Sequence, residues 1–379
     1  MHATDALREA DRLMTVCNAC RYCEGVCPVF PAMELRRTFA DGDLNYLANL
    51  CHGCGACYDD CQFSPPHEFD VNVPKTLATV RNDSYAAYAW PRVLAGTFRR
   101  NGLAVAGAMA AGVAAFVAGF VGRGDPAALF ATGTEPGAFY RLMPHNAMIG
   151  LFGAAFLYAV IALFMGLRAF LKDAGGGRDE PAFGARAIWR AMIDAGRLRH
   201  LDGGGAGCAG ATEDRPDRRR LFHHLTFYGF LLCFASTSTA TLYHYLLGLE
   251  APYPWYDLPV VLGTIGGIGI VVGPAGLLRE KLRRDPALVD GDRFGMETAF
   301  LAMLFLSGLT GLLLLVLRAT PAMGLLLAVH LGVVFAFFVT MPYSKFVHGL
   351  YRFAALARAA AEQNRAAASG GSGGGASAG

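Results

Sequence analysis

Six apolar stretches, each near the ~20 residues that a helix needs to cross the hydrocarbon core of a membrane, leave this chain few possible folds. They run approximately over 102–122, 147–168, 222–248, 258–278, 297–317 and 322–342. Backbone groups inside a bilayer must be hydrogen-bonded within the chain, which favours helices. Apolar residues make up 54% of the 379 residues and charged residues only 17%, as expected for a membrane protein. The sequence predicts a mainly α fold with a six-helix transmembrane bundle over 101–360.

Basic residues are distributed unevenly among the connections between these stretches. The connections on one side, 172–221, 279–296 and the part after Met341, contain ten, five and four Lys or Arg. The connections on the other side, 123–146, 249–257 and 318–321, contain two, none and one. Because basic loops stay on the cytoplasmic side, we expect a multi-pass protein of the inner (cytoplasmic) membrane with both termini in the cytoplasm. The N-terminus has no apolar core, so a secretory signal peptide is not expected.

The segments outside the bundle differ in composition. Residues 1–100 are predicted to form a cytoplasmic domain with a connector to the membrane. Glycine and arginine are frequent over 169–221, which predicts a mobile cytoplasmic loop. Glycine, serine and alanine dominate the end of the chain, which predicts a flexible tail over 361–379.

Eight of the ten cysteines form two copies of one spacing pattern ahead of the apolar stretches. CNACRYCEGVCP begins at Cys17 and CHGCGACYDDC at Cys51, which places cysteines at 17, 20, 23, 27 and at 51, 54, 57, 61. In the bacterial ferredoxin pattern, three closely spaced cysteines bind one [4Fe–4S] cluster and the fourth binds the other cluster. The sequence therefore predicts a bacterial-ferredoxin-like domain with two clusters. The predicted ligands are Cys17, Cys20, Cys23 and Cys61 for the first and Cys51, Cys54, Cys57 and Cys27 for the second.

Two alternatives exist for this cysteine pattern. Zinc is one, although zinc sites use paired rather than tripled cysteines. Disulfides are the other, and they are disfavoured in a reducing cytoplasm. One departure from the ferredoxin pattern is that Gln62, not proline, follows Cys61.

Five histidines lie near the ends of the third and sixth apolar stretches. His223 and His224 lie at the cytoplasmic end of the third and His244 at its outer end, whereas His330 lies in the outer half of the sixth and His348 just past its inner end. His330 and His348 are 18 residues apart, or five turns of about 3.6 residues, so a continuous helix would place them on one face. His223 is about 60° out of phase with His244, and His224 about 160°, which makes His223 the better ligand and His224 its alternate.

A haem held between helices needs two axial imidazoles at one depth. The sequence therefore predicts two haem b groups, an inner one bound by His223 and His348 and an outer one bound by His244 and His330. The alternative for each histidine is an ordinary helix-end or interface residue. The same alternative is preferred for His145, whose other interpretation is a quinone contact. His52 and His67 are expected to be surface groups or neighbours of the cluster ligands.

The cysteine repeat, together with FHHLTFYGFLLCFASTSTATLYHYLLG, LPVVLGTIGGIGIVVGPAGLL and HLGVVFAFFVTMPYSKFVHGLYR, resembles the tricarballylate-utilisation B (CitB-type) family of membrane proteins. The resemblance covers residues from about 10 to 360. The segment from His330 to His348 is also similar in spacing to the haem-bearing subunits of respiratory nitrate reductase and membrane-bound heterodisulfide reductases. The family resemblance implies a protein that reoxidises the reduced flavin of a partner, tricarballylate dehydrogenase, through iron–sulfur clusters and haem b and passes electrons to quinone.

The residues alone indicate an iron–sulfur and dihaem membrane protein. Together with the resemblance they lead us to expect an electron-transfer subunit of an oxidoreductase of the flavoprotein:quinone type, with no catalytic side chain assigned. The chain has no G-x-G-x-x-G followed by an acidic residue, which agrees with FAD on a partner chain, and no basic motif typical of nucleic-acid binding. One alternative is a subunit for a different flavoprotein or a heterodisulfide-reductase-like enzyme. Others are a redox sensor or a redox-driven ion-transport component. Ion transport needs carboxylates inside the membrane, whereas Glu297 and Asp257 lie at the edges of the stretches.

Overall fold

The protein is described by a computed structural model that covers residues 2–123, 129–132, 135–175, 183–201, 218–291 and 294–371. Within these ranges the regular elements are helices, and no strand occurs. The mainly α fold predicted from the sequence is confirmed.

Five short helices form the N-terminal part, and the cysteine loops lie at their ends. These helices are α1 (Asp5–Cys20), α2 (Val29–Glu34), α3 (Asp41–Leu50), α4 (Ala56–Asp59) and α5 (Val73–Ala87). Two of them begin at side-chain caps: Thr4 accepts a hydrogen bond from the Leu7 amide at 3.2 Å, and Asn72 accepts one from the Lys75 amide at 3.1 Å. Apolar side chains of α1, α3 and α5 are buried together and support the cysteine loops.

Among the residues that the structure describes, six further helices are long and apolar enough to cross a membrane. They are α6 (Asn101–Arg123), α8 (His145–Gly175), α10 (Arg219–Leu247), α11 (Leu258–Arg283), α12 (Phe294–Leu317) and α13 (Met323–Thr340), with the short α7 (Ala138–Leu142) before α8. Each coincides with one predicted apolar stretch. The 31 residues of α8 span about 46 Å, which exceeds the ~30 Å hydrocarbon core. Its last turns bury Phe170 and Ala174 in the core of the N-terminal part.

The segment 169–221 is not a loop throughout, contrary to expectation. Besides the end of α8, it contains α9 (Ala185–Gly196), while 176–182 and 202–217 lie outside the described residues. Ala187 and Ala191 of α9 are buried, one helical turn apart. Ala187 packs against Ala360 and Ala361 of a long C-terminal helix. The frequent glycine and arginine residues of the segment had indicated a loop, so a helix with a buried alanine face was not predicted.

The sixth membrane helix and the C-terminal helix are separate, which corrects the assumption that His330 and His348 share one continuous helix. α13 ends at Thr340, a 3-10 turn spans Met341–Tyr343, and α14 (Val347–Gly371) follows. Pro342 lies in that turn and has no backbone N–H to continue an α-helix. The separation of 18 residues therefore does not place His330 and His348 on one face of a helix. Because α14 extends to Gly371, the expected tail over 361–379 is helical in its first part, and 372–379 lie outside the described residues.

Aromatic contacts join the N-terminal part to the inner ends of the membrane helices. Tyr351 of α14 lies with ring centroids 5.8 Å from Tyr85, 5.6 Å from Tyr88 and 5.3 Å from Phe170. Three helices, α5, α8 and α14, therefore meet in one core. This core fixes the cysteine loops next to the ends of α10 and α14.

Glycines allow α10 and α11 to approach closely. A Cβ on Gly269 would lie 2.7 Å from the carbonyl oxygen of Leu225, and a Cβ on Gly266 would lie 2.7 Å from the amide nitrogen of Cys233. Both distances are inside van der Waals contact, so side chains at these positions would push the helices apart. This contact positions α10, the helix that carries His223.

Gly269→Ala is expected to destabilise the detergent-solubilised protein by about 1–3 kcal/mol, because the added methyl group meets backbone atoms that have no room to move. Gly107→Ala in α6 is the matched control, since a Cβ there meets nothing within 4 Å and alanine is the better helix former. Thermal unfolding of the two variants measures the difference. Equal melting temperatures would contradict the close packing of α10 on α11.

Candidate metal and cofactor sites

The first group of thiols lines a cavity on the surface of the N-terminal part. Its lining thiols are Cys17, Cys20, Cys23, Cys57 and Cys61. Cys17 and Cys20 lie in the last turn of α1, and Arg21 then adopts a left-handed φ of 56°, which turns the chain toward Cys23. The structure thus brings Cys61 to the three cysteines of the other sequence copy.

The second group of thiols lines a neighbouring cavity, together with His52 and His200. Its lining thiols are Cys27, Cys51, Cys54 and Cys57, so Cys57 borders both cavities. The loop after α3 contains Gly53 and Gly55, both with positive φ, at 59° and 95°. Glycine adopts such angles without strain, which lets the loop curve around the cavity. Cys27 is here the thiol that comes from the other sequence copy.

Electrostatic interactions among the thiols follow the same two groups. Burial, followed by the charges of Cys23, Cys61 and Cys20, raises the pKa of the Cys17 thiol to about 12. Burial, followed by the charges of Cys27, Cys51 and Cys54 and then by that of Cys23 from the first group, raises the pKa of the Cys57 thiol well above its ordinary value, as expected for a thiol that borders both cavities. Thiolates are therefore disfavoured in each cavity unless a positive group binds to them, which is the usual relation between a metal site and its cysteines.

Both cavities fit an iron–sulfur cluster by the chemistry of their donors. Each is bordered by the four thiols of one predicted ligand set, and thiolates are the ligands that hold such clusters. Among the described residues, no three His, Cys, Asp or Glu side chains are placed as ligands of a single metal ion. The ligand assignment itself stays a prediction.

The two cavities differ in exposure. Cys20 is exposed, and Tyr22 beside it is 73% exposed, so the first cavity faces solvent. Cys51 and Cys54 of the second cavity are buried. The second cavity therefore lies further from the protein surface than the first.

Two arginines connect the second cavity to the helices that carry the inner histidines. Arg219, one turn before His223 on α10, donates hydrogen bonds to two carbonyl oxygens of loop 51–53, both at 3.1 Å. Arg352, one turn after His348 on α14, donates to a third carbonyl oxygen of the same loop at 2.8 Å. Loop 51–53 is thus bound directly to both histidine helices.

His223 and His348 face each other at the inner ends of their helices. Their ring centroids are 6.1 Å apart. Two imidazole nitrogens on opposite sides of one metal atom, each about 2.0 Å from it, place the ring centroids about 6 Å apart. His224, the alternate, instead stacks on Tyr228 at 5.8 Å. The separation of His223 and His348 fits a pair of axial ligands, and His224 is not part of that arrangement.

Hydrogen bonding also suits the inner pair to a haem. Nδ1 of His348 donates to the Lys345 carbonyl oxygen, which leaves Nε2 as the free ligand atom. Nδ1 of His223 is buried without a hydrogen-bond partner. Burial, followed by the charges of Arg352 and Lys345, lowers the pKa of His348 well below its ordinary value, so its imidazole is neutral.

The outer histidines are arranged differently from the inner ones. His244 stacks on His145 with ring centroids 3.7 Å apart, and Tyr140 contacts both rings. Nδ1 of His330 lies 3.0 Å from the Thr310 hydroxyl oxygen. Within the described ranges, His244 and His330 make no ring contact with each other. The outer pair stays a prediction, and the geometry supports it less than the inner pair.

Several residues around these sites had not been recognised from the sequence. They are Arg81, Arg219, Arg284, Arg352 and His200. One signal was available in the sequence: Arg219 lies four residues before His223, and Arg352 lies four residues after His348. Of the two histidines expected near the cluster ligands, His52 borders the second cavity, and His67 contacts Phe63 and Phe69 beyond the first.

Comparisons with known proteins cover nearly the whole chain. Residues 96–369 match a family model described as citrate utilization protein B, and residues 10–87 match a model described as the Fer4-like domain of citrate utilization protein B. A protein of Escherichia coli described as citrate utilization protein B is 46% identical over 361 residues, which are 95% of this chain and 93% of that protein. No solved structure matches the chain significantly.

Proposed function

The chain belongs to the citrate utilization protein B family, and from this premise we propose that it reoxidises the reduced flavin of a partner dehydrogenase and passes the electrons to membrane quinone. The Fer4-like N-terminal domain indicates an iron–sulfur electron-transfer role. The six apolar helices indicate a multi-pass membrane protein. The identity of the partner, the haem and the quinone are the parts that we add as proposals.

The observation that carries this proposal is the order of the candidate sites. The solvent-facing cavity comes first, the buried cavity adjoins it through Cys57, and loop 51–53 of the buried cavity is bound to the helices of His223 and His348. An order from the surface to the membrane is what a protein needs to carry electrons from a soluble donor into a bilayer. We propose that the donor docks near Tyr22, which is exposed beside the first cavity.

The cofactors supply one-electron redox chemistry when bound, and the protein supplies ligands and surroundings. Cys17, Cys20, Cys23 and Cys61 would hold the first [4Fe–4S] cluster, and Cys51, Cys54, Cys57 and Cys27 the second. His223 and His348 would hold an inner haem b, and His244 and His330 an outer one. Buried apolar side chains of α1, α3 and α5 exclude water from the inner side of the clusters.

The partner that we propose is a cytoplasmic FAD-containing dehydrogenase of a tricarboxylic acid, with tricarballylate as the acid suggested by the sequence resemblance. We propose a cytoplasmic position for this partner because the uneven distribution of basic loops favours cytoplasmic termini for this chain. The family and the Escherichia coli relative are named for citrate utilization, and citrate, like tricarballylate, is a small tricarboxylic acid, which supports this proposal.

Ion transport, the main alternative, finds little support in the described residues. It requires a carboxylate that can take up and release a cation within the membrane. Glu297, near the inner end of α12, instead forms ion pairs with both Lys281 and Lys345. These two lysines already neutralise the carboxylate.

A reconstituted assay tests the proposed function. We expect a mixture of tricarballylate dehydrogenase, tricarballylate and a short-chain quinone to reduce the quinone at least about 100-fold faster once this protein is added in detergent. Cys54→Ala should abolish that gain, whereas Cys233→Ala, at a half-buried thiol outside the repeat, should retain it. Absorbance of the quinone follows the reaction. No gain with the intact, cofactor-loaded protein would exclude this dehydrogenase as donor.

A further inference from the structure

Four arginines from four segments of the chain converge on loop 51–53, and we call them the arginine collar. Arg81 of α5 donates to the Cys51 carbonyl oxygen at 2.9 Å, and Arg352 of α14 donates to the same atom at 2.8 Å. Arg219 of α10 donates to the carbonyl oxygens of the next two residues, and Arg284, after α11, also donates to that of Gly53. Three consecutive carbonyl groups between two cysteines thus receive hydrogen bonds from four cations.

Two members of the collar form no ion pair with a carboxylate in the described part of the chain, although the charge of Glu297 acts on Arg81 at longer range. Arg81 is 8% exposed, and Nε of both Arg81 and Arg352 is buried without a hydrogen-bond partner. Within the part of the chain that the structure describes, neither side chain forms an ion pair. Arg36, which is half-buried, is different because it binds carboxylates of Asp43 and Glu362 at 2.6 and 2.7 Å. Buried cations without counter-charge are costly, so a negative group near loop 51–53 would stabilise them.

Among the residues that the structure describes, no comparable set of cations contacts the loop of the first cavity. Arg21 donates to the Asn18 carbonyl oxygen at 3.1 Å, and that contact is exposed to solvent. Charges in water are screened, whereas charges in a protein interior act over longer distances. The two cavities have the same thiol donors but differ strongly in their electrostatic surroundings.

We propose that the arginine collar raises the reduction potential of the cluster held by Cys51, Cys54, Cys57 and Cys27 above that of the cluster held by Cys17, Cys20, Cys23 and Cys61. This inference rests on the proposed function, since it requires both clusters. Reduction adds one negative charge to a cluster that is already anionic, and nearby fixed cations stabilise the reduced state more than the oxidised state. The collar does so without ligating iron.

The difference in reduction potential between the two clusters decides which of them holds a single electron. With the second cluster at the higher potential, one electron in the domain occupies the site whose loop is bound to the His223 and His348 helices. The solvent-facing cluster is then oxidised and ready to accept from a donor. The collar therefore makes inward transfer favourable and retains the electron away from solvent.

Redox titration of the purified holoprotein, followed by paramagnetic resonance, tests the collar. Arg352→Gln and Arg219→Gln should each shift the ratio of electron occupancy between the clusters at least about tenfold toward the first cluster, equivalent to 59 mV for one electron. Arg352→Lys and Arg219→Lys keep the charge and should shift it much less. The first cluster is an internal reference in every sample. Cys54→Ala identifies the signal of the second cluster because it removes that cluster.

The matched control is Arg358→Gln, which lies on the same helix as Arg352 but pairs with Glu362 at 2.9 Å and should change neither potential. Unchanged potentials in the Gln variants, or an equal shift of both clusters, would overturn the proposal. Loss of the second cluster in the Lys variants as well as the Gln variants would show that the arginines only hold the loop, and would overturn it too. Absence of clusters from the wild-type protein would instead refute the proposed function itself.

Discussion

Cys61→Ala is expected to remove the cluster of the first cavity and to leave that of the second, although Cys61 lies only four residues after Cys57 in the sequence. The reason is that Cys61 lines the first cavity, and its charge acts on the thiols of Cys17 and Cys23. A cluster that loses one of four thiolate ligands loses its site or its fourth iron. The effect on that signal should be complete rather than partial.

Low-temperature paramagnetic resonance of the reduced variants distinguishes the two ligand sets, because variants that lose the same cluster should give the same spectrum. Cys61→Ala should give the spectrum of Cys20→Ala, whereas Cys27→Ala should give that of Cys54→Ala. Cys233→Ala controls for loss of an unrelated thiol. If Cys61→Ala instead gave the spectrum of Cys54→Ala, the prediction that each cluster takes its fourth ligand from the other sequence copy would be wrong.

His348→Ala and His223→Ala should each abolish binding of the inner haem. Their ring centroids are 6.1 Å apart, the separation expected for two imidazoles on one iron, so the loss of either leaves a single ligand. The measurement is the haem content per protein, from the pyridine haemochromogen spectrum. Both variants should lose the same absorption component.

His224→Ala is the matched control for this experiment, because His224 is adjacent in sequence but stacks on Tyr228. It should retain haem. Loss of haem in His224→Ala with retention in His223→Ala would mean that α10 is rotated in the loaded protein. Full haem content in both His223→Ala and His348→Ala would exclude this pair as ligands.

The sequence was sufficient for features that depend on local spacing or on composition. Six apolar stretches gave six helices, because the length of a membrane span is set by bilayer thickness. The repeated cysteine spacing predicted two groups of thiols, each of which takes its fourth cysteine from the other sequence copy. The two cavities are lined in this way, by Cys61 in the first and by Cys27 in the second. The preference for His223 over His224 followed from helical phase on α10, which the structure contains as one uninterrupted helix, and the choice of ligand itself stays a prediction.

Features that depend on tertiary contacts were not accessible from the sequence. The turn at Pro342 separates α13 from α14, so the approach of His348 to His223 depends on how α14 docks against Tyr85 and Tyr88. Helix α9 was missed because its buried face consists of alanines, which carry little hydrophobic signal. The arginine collar was not predicted because its members come from four distant segments of the chain. They also bind backbone carbonyl groups, which every residue has, so the sequence does not indicate which carbonyl groups are bound.

The most direct test of the electron path is the rate of haem reduction after rapid mixing with the reduced flavoprotein. In the wild-type protein the haem absorption band should become reduced when tricarballylate is supplied to the partner, and oxidised again when quinone is added. In Cys54→Ala the partner should no longer reduce the haem, while dithionite still does. Haem reduction at an unchanged rate in a variant that lacks both clusters would contradict the account, because electrons would then bypass the cysteine domain.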